Sequence, residues 1–132
     1  MTVIDKLAWI HIVDRRILST LTKGNTTYYI PGGKREGEET DLEALTREIK
    51  EELTIDLIPS TVKKFGEFCA QAHGKKEGVQ VRMTCYTGEY KGEITAGAEI
   101  GSIAWLSYRD RAISSPVDQI IFDDLKMKGL LE

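Results

Sequence analysis

GKREGEETDLEALTREIKEELTI, residues 33–55, decides how this chain is read. Leu42, Leu45, Ile49 and Leu53 recur at spacings of three and four, which is the apolar stripe of a helix packed on a core. Thr40 or Asp41 supplies its N-cap. Glu48, Glu51 and Glu52 fall within one turn beside the stripe and project to nearly the same side. Carboxylates that close repel one another, so the cluster is a poor way to build a plain helix. It is a good way to hold a hard divalent cation, because Mg²⁺ takes oxygen ligands. A solvated face balanced by Lys50 and Arg47 is the bland alternative. The Gly32-Gly33 pair also lets the backbone come close to a ligand.

Outward from this stretch the chain alternates short apolar runs with turn signals. Val3 to Val13, Ile17 to Leu21 and Thr26 to Ile30 read as strands, separated by turns at Asp14-Arg15-Arg16 and Lys23-Gly24-Asn25. Pro59-Ser60 marks the exit from the helical region. Phe65 to Ala72 and Val79 to Tyr90 read as longer strands joined by a hairpin loop at Gly74 to Gly78. Gly88 to Gly101 is a loop or hairpin carrying Glu89, Glu93 and Glu99. Ile103 to Leu106 is a last strand, and Asp118 to Leu125 a closing amphipathic helix. Strands interrupted by one strong helix and closed by another indicate an α/β or α+β fold.

The chain has 132 residues, one domain's length, and a formal net charge of −3. A slightly acidic protein does not attract nucleic acid in general. If it handles polyphosphates, it needs a metal or local cations to offset repulsion. No apolar run is long enough to span a membrane, and no signal-peptide pattern follows Met1. Cys69 and Cys85 match no metal spacing and lie in apolar runs, so both are expected as reduced core residues in a cytoplasmic setting. His11 and His73 are expected in surface or core packing. Trp9, Trp105, Phe65 and Phe68 are expected in the core. Tyr28 and Tyr29 are neighbours in a strand, so one points in and the other out, within reach of a ligand.

The same stretch resembles the signature of the Nudix hydrolases. That signature runs glycine, five residues, glutamate, seven residues, Arg-Glu-hydrophobic, any residue, Glu-Glu, any residue, glycine, hydrophobic. Gly33, Glu39, Arg47-Glu48-Ile49, Glu51-Glu52 and Ile55 occupy these positions. Thr54 stands where the family has glycine. Glycine there ends the helix at positive φ, so Thr54 either closes it differently or carries strain.

The resemblance implies a single Nudix domain over residues 1–132, with a mixed β-sheet sandwiched between helices and the signature forming a loop–helix–loop. It implies Mg²⁺-dependent hydrolysis, with Mn²⁺ as a substitute, of a nucleoside diphosphate linked to another group. Glu48, Glu51, Glu52 and the Gly32 carbonyl are the implied metal ligands. Arg47 would orient a glutamate, and Glu39 would support the site. Lys23, Lys34 and Gly33 are candidate substrate contacts. The general base is either Glu48 or a residue outside the signature; there Glu99, ahead of Trp105, fits best, with Glu93 the alternative. The lead-in Ile30 to Lys34 and the short chain look most like nucleoside-triphosphate pyrophosphatases of the mutator type. ADP-ribose, nucleotide sugars and dinucleoside polyphosphates stay open as substrates, as does a non-catalytic nucleotide-binding module. The expected partner is a small nucleotide, and the expected state a monomer or homodimer.

Overall fold

The computed structural model describes residues 2–132. Its elements in chain order are β1 (Thr2–Trp9), β2 (Ile12–Val13), β3 (Arg16–Thr22), β4 (Gly32–Lys34), α1 (Asp41–Leu53), β5 (Asp56–Leu57), β6 (Lys63–Gln71), β7 (Val79–Thr87), β8 (Tyr90–Lys91), β9 (Ile100–Leu106) and α2 (Pro116–Met127). One sheet has the order β4-β1-β7-β6, a second β2-β3-β9, and β5 pairs with β8. β1 runs parallel to β7 and antiparallel to β4, so the first sheet is mixed.

Alternation along β1 sets the layers. Leu7 and Trp9 pack with Leu18 against Ala44, Leu45, Ile49 and Leu53 of α1. Ala8 faces the other way and packs with Ile17 and Met83 against Val117, Ile121, Phe122 and Leu125 of α2. The sheets are therefore held between two helices, as the signature implied. Leu45, Ile49 and Leu53 are fully buried, and each contributes about 1.5–3 kcal/mol. Leu42, expected in the stripe, is only half-buried, and Ala44 takes the buried place.

Several expectations need correcting. Val3 to Val13 is not one strand. It breaks at Ile10-His11, and Ile12–Val13 joins the second sheet. A two-residue turn with positive φ at Asp14 and Arg15 then reverses the chain. Thr26 to Ile30 forms only isolated bridges, Tyr29 to Thr20 and Tyr28 to Ser114. Cys85 is buried, but Cys69 is exposed because it lies on the outward row of the edge strand β6. Trp9 is fully buried; Trp105, opposite Leu18 and on the same row as Ile103, is 40% exposed on the edge strand β9. Phe65 and Phe68 are half-buried against the α2 core. Among the described residues no helix is long and apolar enough to cross a membrane.

Candidate functional site

α1 begins with a reciprocal cap. Glu43 N–H donates to Thr40 Oγ1, and Thr40 N–H donates to Glu43 Oε1. This fixes the helix at its first turn and carries Glu48, Glu51 and Glu52 to the edge of the first sheet. There β4 is Gly32-Gly33-Lys34. A Cβ built on Gly33 would lie 2.4 Å from the Glu48 carboxylate. Gly33 is thus the gap through which Glu48 reaches the cavity.

Arg47 ties the signature together with four hydrogen bonds. Its Nε and Nη2 donate to the two oxygens of Glu39 at 2.8 and 2.9 Å. Its Nη1 donates to Glu48 Oε1 at 2.9 Å, and Nη2 also reaches the Lys34 carbonyl at 3.0 Å. The forked contact with Arg47, helped by the Glu36 N–H, holds the Glu39 carboxyl near 2. Glu39 lies behind Arg47 and does not line the cavity.

The cavity, about 570 Å³, is lined by Glu48, Glu51, Glu52, Glu99, Gly32 and Gly33, and also by Lys6, Tyr29 and Met83. Glu99 comes from the opposite side on the segment between β8 and β9, which docks on the end of α1. Gly97 N–H donates to the Glu52 carbonyl at 2.8 Å, and Thr95 N–H to the Leu53 carbonyl at 3.0 Å. These bonds satisfy carbonyls that a helix C-terminus leaves open. A side chain at Gly97 would strike the Glu51 carbonyl, since a Cβ would lie 1.9 Å away. Thr54 closes α1 in the left-handed region, φ 58° and ψ 30°, and its hydroxyl contacts Thr95 Oγ1. Thr54 and Gly97 thus serve the same docked segment. Glu93 lies on that segment but does not line the cavity.

Burial pushes the Glu52 carboxyl up to about 8; the charge of Glu48 adds to the rise, and the backbone at Gly32 opposes it. A half-buried carboxylate among others is electrostatically incomplete without a cation. Among the described residues no three acidic groups form a ready-made metal cage. Mg²⁺ does not require one. It is bound through one or two carboxylates, retained waters and substrate phosphates. The donor set along this wall fits that mode of binding.

Of the other candidates, the Lys23 side chain lines neither this cavity nor its neighbour; the Lys23 amide instead donates to the Glu99 carbonyl at 3.0 Å. Lys34 lines a second, smaller cavity. His11 stacks on Trp9, with ring centroids 4.6 Å apart. His73 hydrogen-bonds the Tyr29 hydroxyl at the rim of the second cavity. Sequence reasoning missed Lys6, and the missing signal was a charged residue on the core-facing row of a central strand.

A family model described as the NUDIX domain matches residues 8–121. The chain belongs to the Nudix family. Nudix hydrolases use divalent metal ions and act on small nucleotides, and this protein is a pyrophosphohydrolase by class. A comparison with curated proteins finds no match. Among solved structures, the solution structure of the E. coli ORF135 protein is 23% identical, covering 96% of this chain and 92% of that one with a TM-score of 0.72. The MutT protein from Methanosarcina mazei Go1 is 15% identical, covering 97% and 96% with a TM-score of 0.76. The E. coli dihydroneopterin triphosphate pyrophosphohydrolase is 17% identical, covering 97% and 99% with a TM-score of 0.73. At these identities the structures establish the shared fold.

Proposed function

We propose that this Nudix protein hydrolyses a nucleoside diphosphate-linked substrate, a nucleoside or deoxynucleoside triphosphate or a derivative, by water attack at phosphorus. Two phosphate-containing products result, and Mg²⁺ is the natural cofactor, with Mn²⁺ a substitute. The observation that carries this reading is the meeting of Glu48, Glu51 and Glu52 with Glu99 around one cavity. Glu48, Glu51, Glu52 and the Gly32 carbonyl hold the divalent ions. Those ions supply charge neutralisation for the phosphates and activation of water. Arg47 is a positioning residue, holding Glu48 in place from the side of Glu39. Glu99 faces the glutamate helix across the cavity, where a general base could take the proton of the attacking water. Glu48 is the alternative base.

One structural neighbour is a dihydroneopterin triphosphate pyrophosphohydrolase, which favours a triphosphate over ADP-ribose or a nucleotide sugar. We read the chain as a single cytoplasmic domain that works on free nucleotides, as a monomer or homodimer. The test is product analysis by ion-exchange chromatography over nucleoside triphosphates, ADP-ribose and nucleotide sugars, with Mg²⁺ or with chelator. The parent should act only with a divalent ion. Glu52→Gln should be at least about a hundredfold slower. Turnover in chelator, or near-normal Glu52→Gln at saturating Mg²⁺, refutes the assignment.

A further inference from the structure

Lys6 breaks the pattern of its strand. On β1 it points to the same side as Ile4 and Ala8, both packed in the core beneath α2, and away from Leu7 and Trp9, which face the glutamate helix. β1 lies inside its sheet, between β4 and β7, with Lys6 beside Met83 and Lys34. A lysine on such a row breaks the apolar pattern without strengthening the core, which marks a functional position. No hydrogen bond or ion pair reaches its ammonium among the described residues. The nearest defined contact is the Tyr29 ring, whose centroid is 5.6 Å away. Asp118, Lys34, Glu52 and Glu48 act on it only through their charge at longer range.

Lys6, Tyr29 and Met83 line both the large cavity and a second one of about 130 Å³. They form the threshold between the two. Ile4, Val81, Met83 and Val117 give the second cavity apolar walls, Lys34 and Lys75 join Lys6 in its lining, and His73 is bonded to the Tyr29 hydroxyl. The apolar walls accept a flat ring, and the ammonium groups offer donors to its edge. The volume suits one end of a ligand, since whole ligand sites run to about 300–1,000 Å³.

We propose that Lys6 is a specificity-determining residue: its ammonium donates to a carbonyl oxygen on the edge of a nucleobase seated in the second cavity while the phosphates lie against Glu48, Glu51 and Glu52. This rests on the nucleotide reading above. An ammonium donates and cannot accept. A base that presents a carbonyl at that place is favoured, and one that presents an amino group there is opposed.

The experiment compares pairs of substrates that differ at this one feature, ITP against ATP and UTP against CTP, by kcat/KM with the full chain and Mg²⁺. The parent prefers the carbonyl-bearing member of at least one pair. Lys6→Met lowers that ratio about tenfold to a hundredfold, the usual worth of a hydrogen bond to a charged group. Lys6→Arg keeps most of it. A ratio left unchanged by Lys6→Met, even with both rates reduced, overturns the proposal and makes Lys6 a phosphate or packing residue. So does a parent with no preference in either pair. Calorimetric binding of non-hydrolysable methylene analogues of the same pairs gives a reading independent of turnover. If the parent binds selectively, Lys6→Met loses that selectivity, and neither hydrolyses anything, the hydrolase reading falls and the role of Lys6 stands. Equal binding of each pair by the parent removes Lys6 whatever the turnover.

Discussion

Gly33→Ala separates the chemistry of this site from its stability. The added Cβ would lie 2.4 Å from Glu48 Cδ and Oε2 and 2.8 Å from Oε1. Ordinary contact begins near 3.4 Å, so the carboxylate must retreat by about 1 Å. Gly33 has no positive φ, so alanine itself is not strained there. The obstacle is the end of a flexible side chain, and a new rotamer of Glu48 costs only about 0.5–1.5 kcal/mol. That retreat pulls Glu48 from its bond to Arg47 and from the cavity wall. A displacement of about 1 Å at reacting groups can cost about a hundredfold in rate. The expected result is kcat/KM lower by about a hundredfold, with a melting temperature within about 6 °C of the parent. Steady-state kinetics and a thermal melt on the same preparation measure both. In the double variant Gly33→Ala/Glu48→Asp the shorter acid fits beside the new methyl, so the two losses should not add. Gly33→Ala activity within threefold of the parent would show that Glu48 need not occupy this place. A collapse in melting temperature would show that Gly33 serves the backbone and not the carboxylate.

Arg47→Lys keeps the charge but loses the fork that holds Glu39 and Glu48. We expect kcat/KM to drop about tenfold or more, and full activity would exclude positioning by Arg47. Thr54→Gly relieves a β-branched residue at φ 58° but gives up the hydroxyl contact with Thr95 and adds chain entropy. Stability should stay within about 1 kcal/mol and turnover within a few-fold, because the Gly97 and Thr95 amides still dock the segment. A large loss in either would assign the threonine side chain a role of its own. Glu99→Gln should slow turnover at least about tenfold, while Glu93→Gln, outside the cavity, should leave it unchanged. Equal small effects would return the base to Glu48. Metal-free Glu52 titrates near 8 in the fold against an ordinary 4.5, so the native state carries the extra proton between those values. Its stabilising share is present below pH 4.5 and is lost as pH rises to 8. Mg²⁺ needs the carboxylate ionised, so melts with and without Mg²⁺ should separate more at pH 8 than at pH 6. Glu52→Gln should weaken that pH dependence, and a parent separation independent of pH would refute the link.

How much was readable follows from the range of each interaction. Thr40 and Glu43 cap α1 within four residues of each other, and the stripe of Leu45, Ile49 and Leu53 repeats within the helix. Local spacing alone therefore placed the helix, its start and its acidic side. Glu39 and Arg47 lie eight residues apart, one just before the cap of α1 and the other on the helix itself. The family rested on this one continuous stretch, and the fold class on the order of strands and helices around it.

The rest depended on partners far apart in the chain. The break of the first strand at Ile10-His11 arises because Ile12–Val13 pairs with β3 in another sheet, and periodicity carries no record of pairing. Cys69 and Trp105 look like core residues by type, but Cys69 lies on the outward row of the edge strand β6 and Trp105 on the edge strand β9. The sequence by itself determined the chemistry available here: three glutamates on one helical turn, an arginine to order them, and glycine where the backbone must make room. Tertiary structure decided where that chemistry opens. It docked Thr95 and Gly97 on the end of α1, which brought Glu99 across from the glutamates, and it set β1 inside the sheet, which left Lys6 aimed at the cavity. Side-chain type and helical period are local properties, whereas a cavity wall is assembled from residues whose only relation is the packing of the sheet.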